Sequence, residues 1–178
     1  MSRWPLPSPG AVLRLLEPPD AVELFALCER NRSRLGTYLP WIHRTHTVAD
    51  VAAFLGAAAQ QHKNGLGFHA GIAVDGHLLG CAGMHPIDRE HRSVALGYWI
   101  DEAAEGRGLV TLATTQLVRL CWEDYGLHRV EIRCAASNAR SRAVPRRLGF
   151  REEGLLRAAQ WVNGVALDQY VFSKLATD

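Results

Sequence analysis

Lysine is nearly missing from this sequence. Of 20 basic residues among 178, 18 are arginine, and the only lysines are Lys63 and Lys174. No lysine follows a glycine-rich turn, which excludes a Walker-type phosphate loop, and no GxGxxG run is present. Charge of one sign is also scarce: 18 acidic residues leave a formal net charge of +2, which gives no case for a general nucleic-acid binder. No apolar run approaches the roughly 18 residues of a spanning helix. The opening segment MSRWPLPSPG has prolines and a turn where a signal peptide would have its apolar core, so a cytoplasmic protein is expected. Cys28, Cys81, Cys121 and Cys134 include no pair at two-residue spacing, and free thiols in a reducing compartment are expected in place of a zinc knuckle or redox motif. No HExxH pattern occurs, and His43 and His46 have no third ligand nearby in sequence, so no metal is expected.

What is present describes a globular protein. Hydrophobic residues make up 48% and charged residues 21%. Mass scaling gives about 8,600 Å² of folded surface against about 28,600 Å² for the extended chain, enough for one core. A single domain over residues 1–178 is expected, with 1–10 a flexible or extended arm. A first strand at 11–16 ends at Pro18-Pro19. Asp20 is placed to cap a helix striped with Val22, Leu24, Phe25, Leu27 and Cys28. A short helix or turn at 32–41 stops at Pro40, and a further amphipathic helix begins at Thr47 or Asp50. Strands at 67–75 and 78–86 join through Asp75-Gly76, a two-residue hairpin signal, and a third follows at 93–100. Gly80, Gly83 and Gly97 mark bulges or close approaches. A helix over 109–125 closes at Gly126, a strand runs 128–135, and a short helix follows Asn138. A hairpin of 153–162 and 165–175 turns at Asn163-Gly164. The order gives seven strands in a mixed sheet with helices on both faces.

The stretch IDEAAEGRGLVT, residues 100–111, is the most informative. A strand delivers the chain to two glycines, and a helix begins at once. The first amides of a helix have no intrahelical acceptor and can point at an anion, with Arg107 adding a positive charge. A second feature is the crowding of Arg140, Arg142, Arg146, Arg147 and Arg151, suited either to phosphate or to a solvated helix face.

The segments LGYWIDEAAEGRG at 96–108, GLHRVEIRC at 126–134, NARSRAVPRRLGF with REEGLLR at 138–157, and DQYVFSKL at 168–175 together resemble the GNAT superfamily of N-acetyltransferases. Within it the chain is similar to the RimJ/RimL-like ribosomal-protein N-terminal acetyltransferases. The resemblance implies an α/β (α+β mixed) fold with a mostly antiparallel, twisted seven-stranded sheet, flanked by helices and splayed between its fourth and fifth strands, here 94–100 and 128–135. Acetyl-CoA would lie in that opening. Its pyrophosphate maps to Arg107, Gly108, Leu109, Val110, Thr111 and Leu112, and its pantetheine arm to Tyr98, Trp99 and Ile100. Asn138 would contact the arm and Ser141 would sit near the thioester sulfur. Direct transfer in a ternary complex is implied, with CoA as product and no acyl-enzyme. The sequence departs from the family pattern at Glu105, where Gln or Arg is usual, at Val110, and at Pro145, which predicts a late start for the helix after Asn138.

The chemistry needs a polarised carbonyl, a stabilised leaving thiolate and a neutral amine. Strand amides near Trp99 to Asp101 suit the first, and the Ser141 hydroxyl suits the second. Glu102 and His85 are the candidate bases, with Glu123 in an adjacent element and water as the alternative. Tyr38, Leu39, Trp41, His43 and Trp161 are the acceptor candidates. The resemblance implies the N-terminal α-amine of a ribosomal or other protein as acceptor, an acidic one in the RimL case. Small amines and longer acyl groups are alternatives, as are a non-catalytic CoA-binding regulator and an RNA-binding factor using the 140–151 patch. No membrane partner is expected. A homodimer, with Trp4 or the hairpin near Trp161 as an apolar contact, remains open beside a monomer.

Overall fold

In this computed structural model, which describes residues 2–178, the chain opens with β1 (Arg3–Pro5) and β2 (Ala11–Leu15). Helices α1 (Ala21–Arg30), α2 (Arg32–Gly36) and α3 (Val48–Lys63) follow. A meander of β3 (His69–Val74), β4 (His77–Met84) and β5 (Ser93–Ile100) leads to α4 (Leu109–Glu123). Then come β6 (Arg129–Ala135), α5 (Ala139–Arg147), β7 (Arg151–Val162) and β8 (Val165–Leu175). The sheet order is β1-β2-β3-β4-β5-β6-β8-β7. Every neighbouring pair is antiparallel except β5 and β6.

The sheet has eight strands, one more than the sequence predicts. The extra one lies in the proline-rich arm, where Arg3, Trp4 and Pro5 oppose Arg14, Leu13 and Val12. Trp4 stacks on Phe68 with ring centroids 4.9 Å apart, which supplies the burial a three-residue strand needs. Pro5 is tolerated because an edge strand has no ladder bond to lose on its outer side.

Two layers of helix cover the sheet. On β5, Val94, Leu96 and Ile100 join Leu109, Ala113 and Leu117 of α4 in one cluster. Trp99, on the opposite face, packs with Leu24 and Leu27 of α1 and Leu55 of α3. The period-2 pattern of β6 holds, with Val130, Ile132 and Cys134 all buried on the α4 face. Thr47 caps α3 through a reciprocal bond with Asp50. Asp20 does not cap α1; its carboxylate is drawn back to the Glu17 N–H at 2.8 Å and to Arg14 at 2.9 Å. Nor does α5 start late. It begins at Ala139, with the Asn138 side chain accepting from the Ser141 N–H at 3.0 Å, and Pro145 lies inside it. No helix among the described residues is long and apolar enough to cross a membrane.

The accessible surface, 9,153 Å², slightly exceeds the mass-scaling value of about 8,600 Å². Strand β7 accounts for part of the excess, since it is exposed along nearly its whole length.

Gly80 marks both a close approach of backbone to backbone and the irregularity of the meander, since Ile72 opposes Gly80 while Ala73 opposes Leu78, leaving Leu79 as the extra residue. A Cβ at Gly80 would stand 2.3 Å from the Trp99 carbonyl oxygen and 2.8 Å from the Ile100 Cα. Gly80→Ala should therefore force β4 away from the end of β5 and cost about 1–3 kcal/mol. Urea denaturation checks it, and an unchanged midpoint would contradict the close approach.

Candidate active site

The site begins where two strands part. β5 and β6 pair in parallel from Ser93 and Arg129 to Leu96 and Ile132. Beyond that point β5 continues against β4 alone, from Gly97 to Ile100, while β6 continues against β8. The Asp101 N–H bonds the Leu79 carbonyl at 2.6 Å and the Ala95 carbonyl accepts from the His85 N–H at 2.9 Å. Odd-numbered residues thus face β4, and by alternation the N–H and C=O of Tyr98 and the N–H of Ile100 face the gap. This corrects the expectation for Trp99 and Asp101, whose amides are directed at β4; within 99–101 only Ile100 can offer an N–H to a ligand between the strands.

At the open end lies the glycine turn that starts α4, a candidate anion cradle. Gly106 and Gly108 have φ of +76° and +75°, with nothing within 4 Å of a would-be Cβ, so glycine is required for its left-handed conformation and not by crowding. Gly108 is the N-cap of α4, and the first intrahelical bond runs from the Leu112 N–H to the Gly108 carbonyl at 3.1 Å. The amides of Leu109, Val110 and Thr111 are left without intrahelical acceptors. Arg107 is exposed beside them, and Arg147 donates from α5 to the Thr111 hydroxyl at 2.8 Å. A guanidinium at a helix N-terminus opposes the dipole; its presence there suits a bound anion. Val110 packs against the core, which accommodates its bulk.

The arginine cluster is divided in purpose. Arg142 lies over the Tyr170 ring at 5.1 Å, and Arg146 over Phe172 at 5.8 Å while bonding Glu152. These two fasten α5 to β8, whereas Arg140 and Arg147 turn toward the gap.

The end of β5 is pinned from the other side by Asn31, which is 3% exposed. Its amide donates to the Leu27 carbonyl and to Asp101, and its oxygen accepts from the Glu102 N–H and from Arg34. Asp101 is also buried and takes a 2.6 Å bond from Arg30. Burial pushes its pKa up, but the bonds from Arg30 and Asn31 outweigh burial and hold it below the usual value. Arg34 donates further to the Ile100 carbonyl and, at 2.8 Å, to Glu105, whose second oxygen binds Arg140. Two guanidinium groups therefore neutralise Glu105, which resolves the cost of an acid at the start of the cradle. Sequence reasoning missed Asn31, Arg34 and the side chain of Asp101, whose long-range contacts span some 70 positions.

The two faces of the gap carry different groups. On the α5 side, Tyr98 donates to the Ser141 carbonyl at 2.9 Å and the Ser141 hydroxyl to Cys134 Sγ at 3.3 Å. Burial raises the Cys134 pKa, keeping the thiol protonated. On the α3 side, Gly83 and Gly97 are register partners, so β4 and β5 present a strip without side chains. His69 lies against Gly83, and His85 Nε2 is 3.4 Å from where a Gly97 Cβ would be. Partial burial and Arg133 lower the His85 pKa, leaving a neutral imidazole at pH 7. His69, absent from the sequence-based candidates, packs edge-on to Phe54 at 5.1 Å.

Trp41 lies 6.1 Å from Trp99 and is half-buried with Tyr38, Leu39 and His43. His43 bonds the Gly36 carbonyl at 2.9 Å. Trp161 stands apart on β7, 65% exposed. Glu102 is exposed beyond the end of β5, and Glu123 pairs with Arg119 at the far end of α4. Among the described residues no group of three or more His, Cys, Asp or Glu is placed to hold a metal.

Comparison with known proteins identifies relatives of this fold. A family model described as an acetyltransferase (GNAT) domain matches residues 11–151. A protein of Bacillus subtilis strain 168, provisionally named ribosomal N-acetyltransferase YdaF, is 38% identical over 92% of this chain and 90% of its own. The ribosomal-protein-serine acetyltransferase of Escherichia coli K12 is 25% identical over 85% of each chain. The crystal structure of the Microcin C7 self immunity acetyltransferase MccE, in complex with acetyl-CoA and AMP, superposes with a TM-score of 0.88 at 27% identity, covering 94% of this chain and 93% of that one.

The His69 environment makes a prediction for acid. Burial, with His85 adding, lowers its pKa from an ordinary 6.5 to about 4. Between those values the unfolded chain binds a proton that the folded one refuses, so stability falls as pH drops through the window, by up to about 3 kcal/mol. The urea midpoint should decline from pH 7 to 4, and His69→Gln should flatten the decline. An equal decline in the variant would assign the acid sensitivity elsewhere.

Proposed function

The chain belongs to the GNAT acetyltransferase family and is an acetyl-CoA-dependent N-acetyltransferase, and from that premise we propose that its acceptor is the N-terminal α-amine of a protein, ribosomal in the first instance. The supporting observation is near-full-length similarity to two relatives named for ribosomal proteins. The half-buried shelf of Leu39, Trp41 and Trp99 gives an extended peptide end a surface to lie on.

Each residue then has a role. The amides of Leu109, Val110 and Thr111, with Arg107 and Arg147, bind the pyrophosphate. Tyr98 and Ile100 offer backbone groups to the pantetheine amides. Ser141 on the α5 side can then serve the leaving group, and His85 on the α3 side the nucleophile. The Ser141 hydroxyl, now on a weak sulfur acceptor, turns to the departing thiolate. His85 takes the ammonium proton before attack, or receives it through water. Glu102 lies in the turn that follows β5, past its last residue Ile100, which is itself three strand positions or about 10 Å beyond Gly97. It stands at the phosphate end of the gap, and His85 beside the strand junction is better placed as the base.

Mass spectrometry after incubation with acetyl-CoA tests the acceptor. One acetyl group should appear on the α-amine of a peptide ending in a ribosomal N-terminus and not on one whose α-amine is blocked; labelling of small amines alone would refute the protein acceptor. Gly108→Asp should raise the Kd for CoA in calorimetry, because it sets a negative charge beside the pyrophosphate. It should also lose about 1 kcal/mol of stability to a left-handed backbone without glycine. Normal CoA affinity in that folded variant would move the cradle elsewhere. Ser141→Ala should lower kcat roughly 10- to 100-fold with little change in CoA affinity. A donor with a more acidic thiol should narrow that deficit, and an equal deficit with both donors would remove the hydroxyl from leaving-group chemistry.

A further inference from the structure

A proline inside a helix withdraws an N–H from the carbonyl four residues earlier and crowds that carbonyl. In α5 the residue is Pro145, which is buried, and the carbonyl it strands belongs to Ser141. That carbonyl has a partner: the Tyr98 hydroxyl donates to it at 2.9 Å. Tyr98 stands on β5, bordering one side of the gap, while Ser141 stands on the helix that follows β6 and borders the other. The bond crosses the gap and joins its two walls. Asn138 belongs to the same helical turn, because its side chain accepts from the Ser141 N–H.

We propose that Pro145 and Tyr98 together form a positioning device. The proline frees the Ser141 carbonyl, the tyrosine hydroxyl occupies it, and this tie fixes the first turn of α5 against the strand that borders the acyl-CoA site. The inference rests on reading the gap as that site. Neither residue needs to touch the reacting atoms; both set where the Ser141 hydroxyl stands. Burial pushes the Tyr98 pKa up, so the hydroxyl remains a donor throughout the working range. A proline that looks like a defect in a helix is here the condition for a bond between distant elements, since an ordinary residue at that position would claim the Ser141 carbonyl for itself.

A double-mutant cycle tests it with the full-length protein: wild type, Tyr98→Phe, Pro145→Ala and the double variant, each measured for kcat, acceptor KM, CoA affinity and urea midpoint. Tyr98→Phe alone should lower kcat about tenfold through misplacement, at nearly constant acceptor KM, and should lower the urea midpoint. Pro145→Ala restores an N–H for the Ser141 carbonyl. In that background the Tyr98→Phe step should cost at most about twofold, the difference being the coupling between the two sites. Equal cost in both backgrounds, or none in either, overturns the proposal. Failure of the wild-type protein to bind CoA would refute the acyl-CoA reading of the gap, and the urea midpoints of the same four proteins would still decide whether the tie exists.

Discussion

Two parallel strands that pair for four residues and then separate impose an obligation on everything around them. Backbone groups beyond the last shared pair have lost their ladder, and buried ones must find partners. Arg34 reaches the Ile100 carbonyl, and Asn31 takes the Glu102 N–H just past the strand end. What is left facing the gap is a short row of strand amides, available to a chain-like ligand that carries its own. The parting is thus both a cost to the fold and the basis of the binding site proposed for it.

Features set by neighbouring residues were legible in the sequence. Asp75-Gly76 and Asn163-Gly164 both have positive φ at the two turn positions, as a tight hairpin between twisted strands demands. The two glycines before α4 and the asparagine before α5 were legible for the same reason, because caps and left-handed turns are local chemistry. Apart from the Asp20 cap, lost to nearby Glu17 and Arg14, the missed elements depend on distant partners. Strand β1 exists through Trp4 on Phe68, and no rule of propensity foresees a strand of three residues ending in proline. The late start predicted from Pro145 failed because the local penalty is met by a tyrosine from another element. Asn31 gave no sign of its importance, since all that distinguishes it is the set of groups folding brings around it.

The distribution of arginine follows a similar division. Arg142 and Arg146 cover aromatic rings of β8, where a planar cation gains more than a point charge would. Arg140 and Arg147, on the same short helix, turn to the gap. One run of basic residues therefore both seats α5 on the sheet and charges the edge of the cradle. The second task depends on the first, because a loosely held helix could not aim its remaining guanidinium groups.

The scarcity of lysine has its own consequence once the chain is seen as the holder of a reactive thioester. Acyl thioesters modify neutral amines without any catalyst, and a lysine amine, with a pKa near ~10.4, is neutral far more often than a guanidinium, which stays charged above pH ~12. Lys174 is half-buried and donates to the Leu148 carbonyl at 2.8 Å, while Lys63 is exposed at the end of α3. A surface whose positive charge is carried by arginine gives up nothing in electrostatics and offers its own cosubstrate almost no side-chain target. The catalyst is thereby shielded from chemical ageing by the reagent it must keep close at hand.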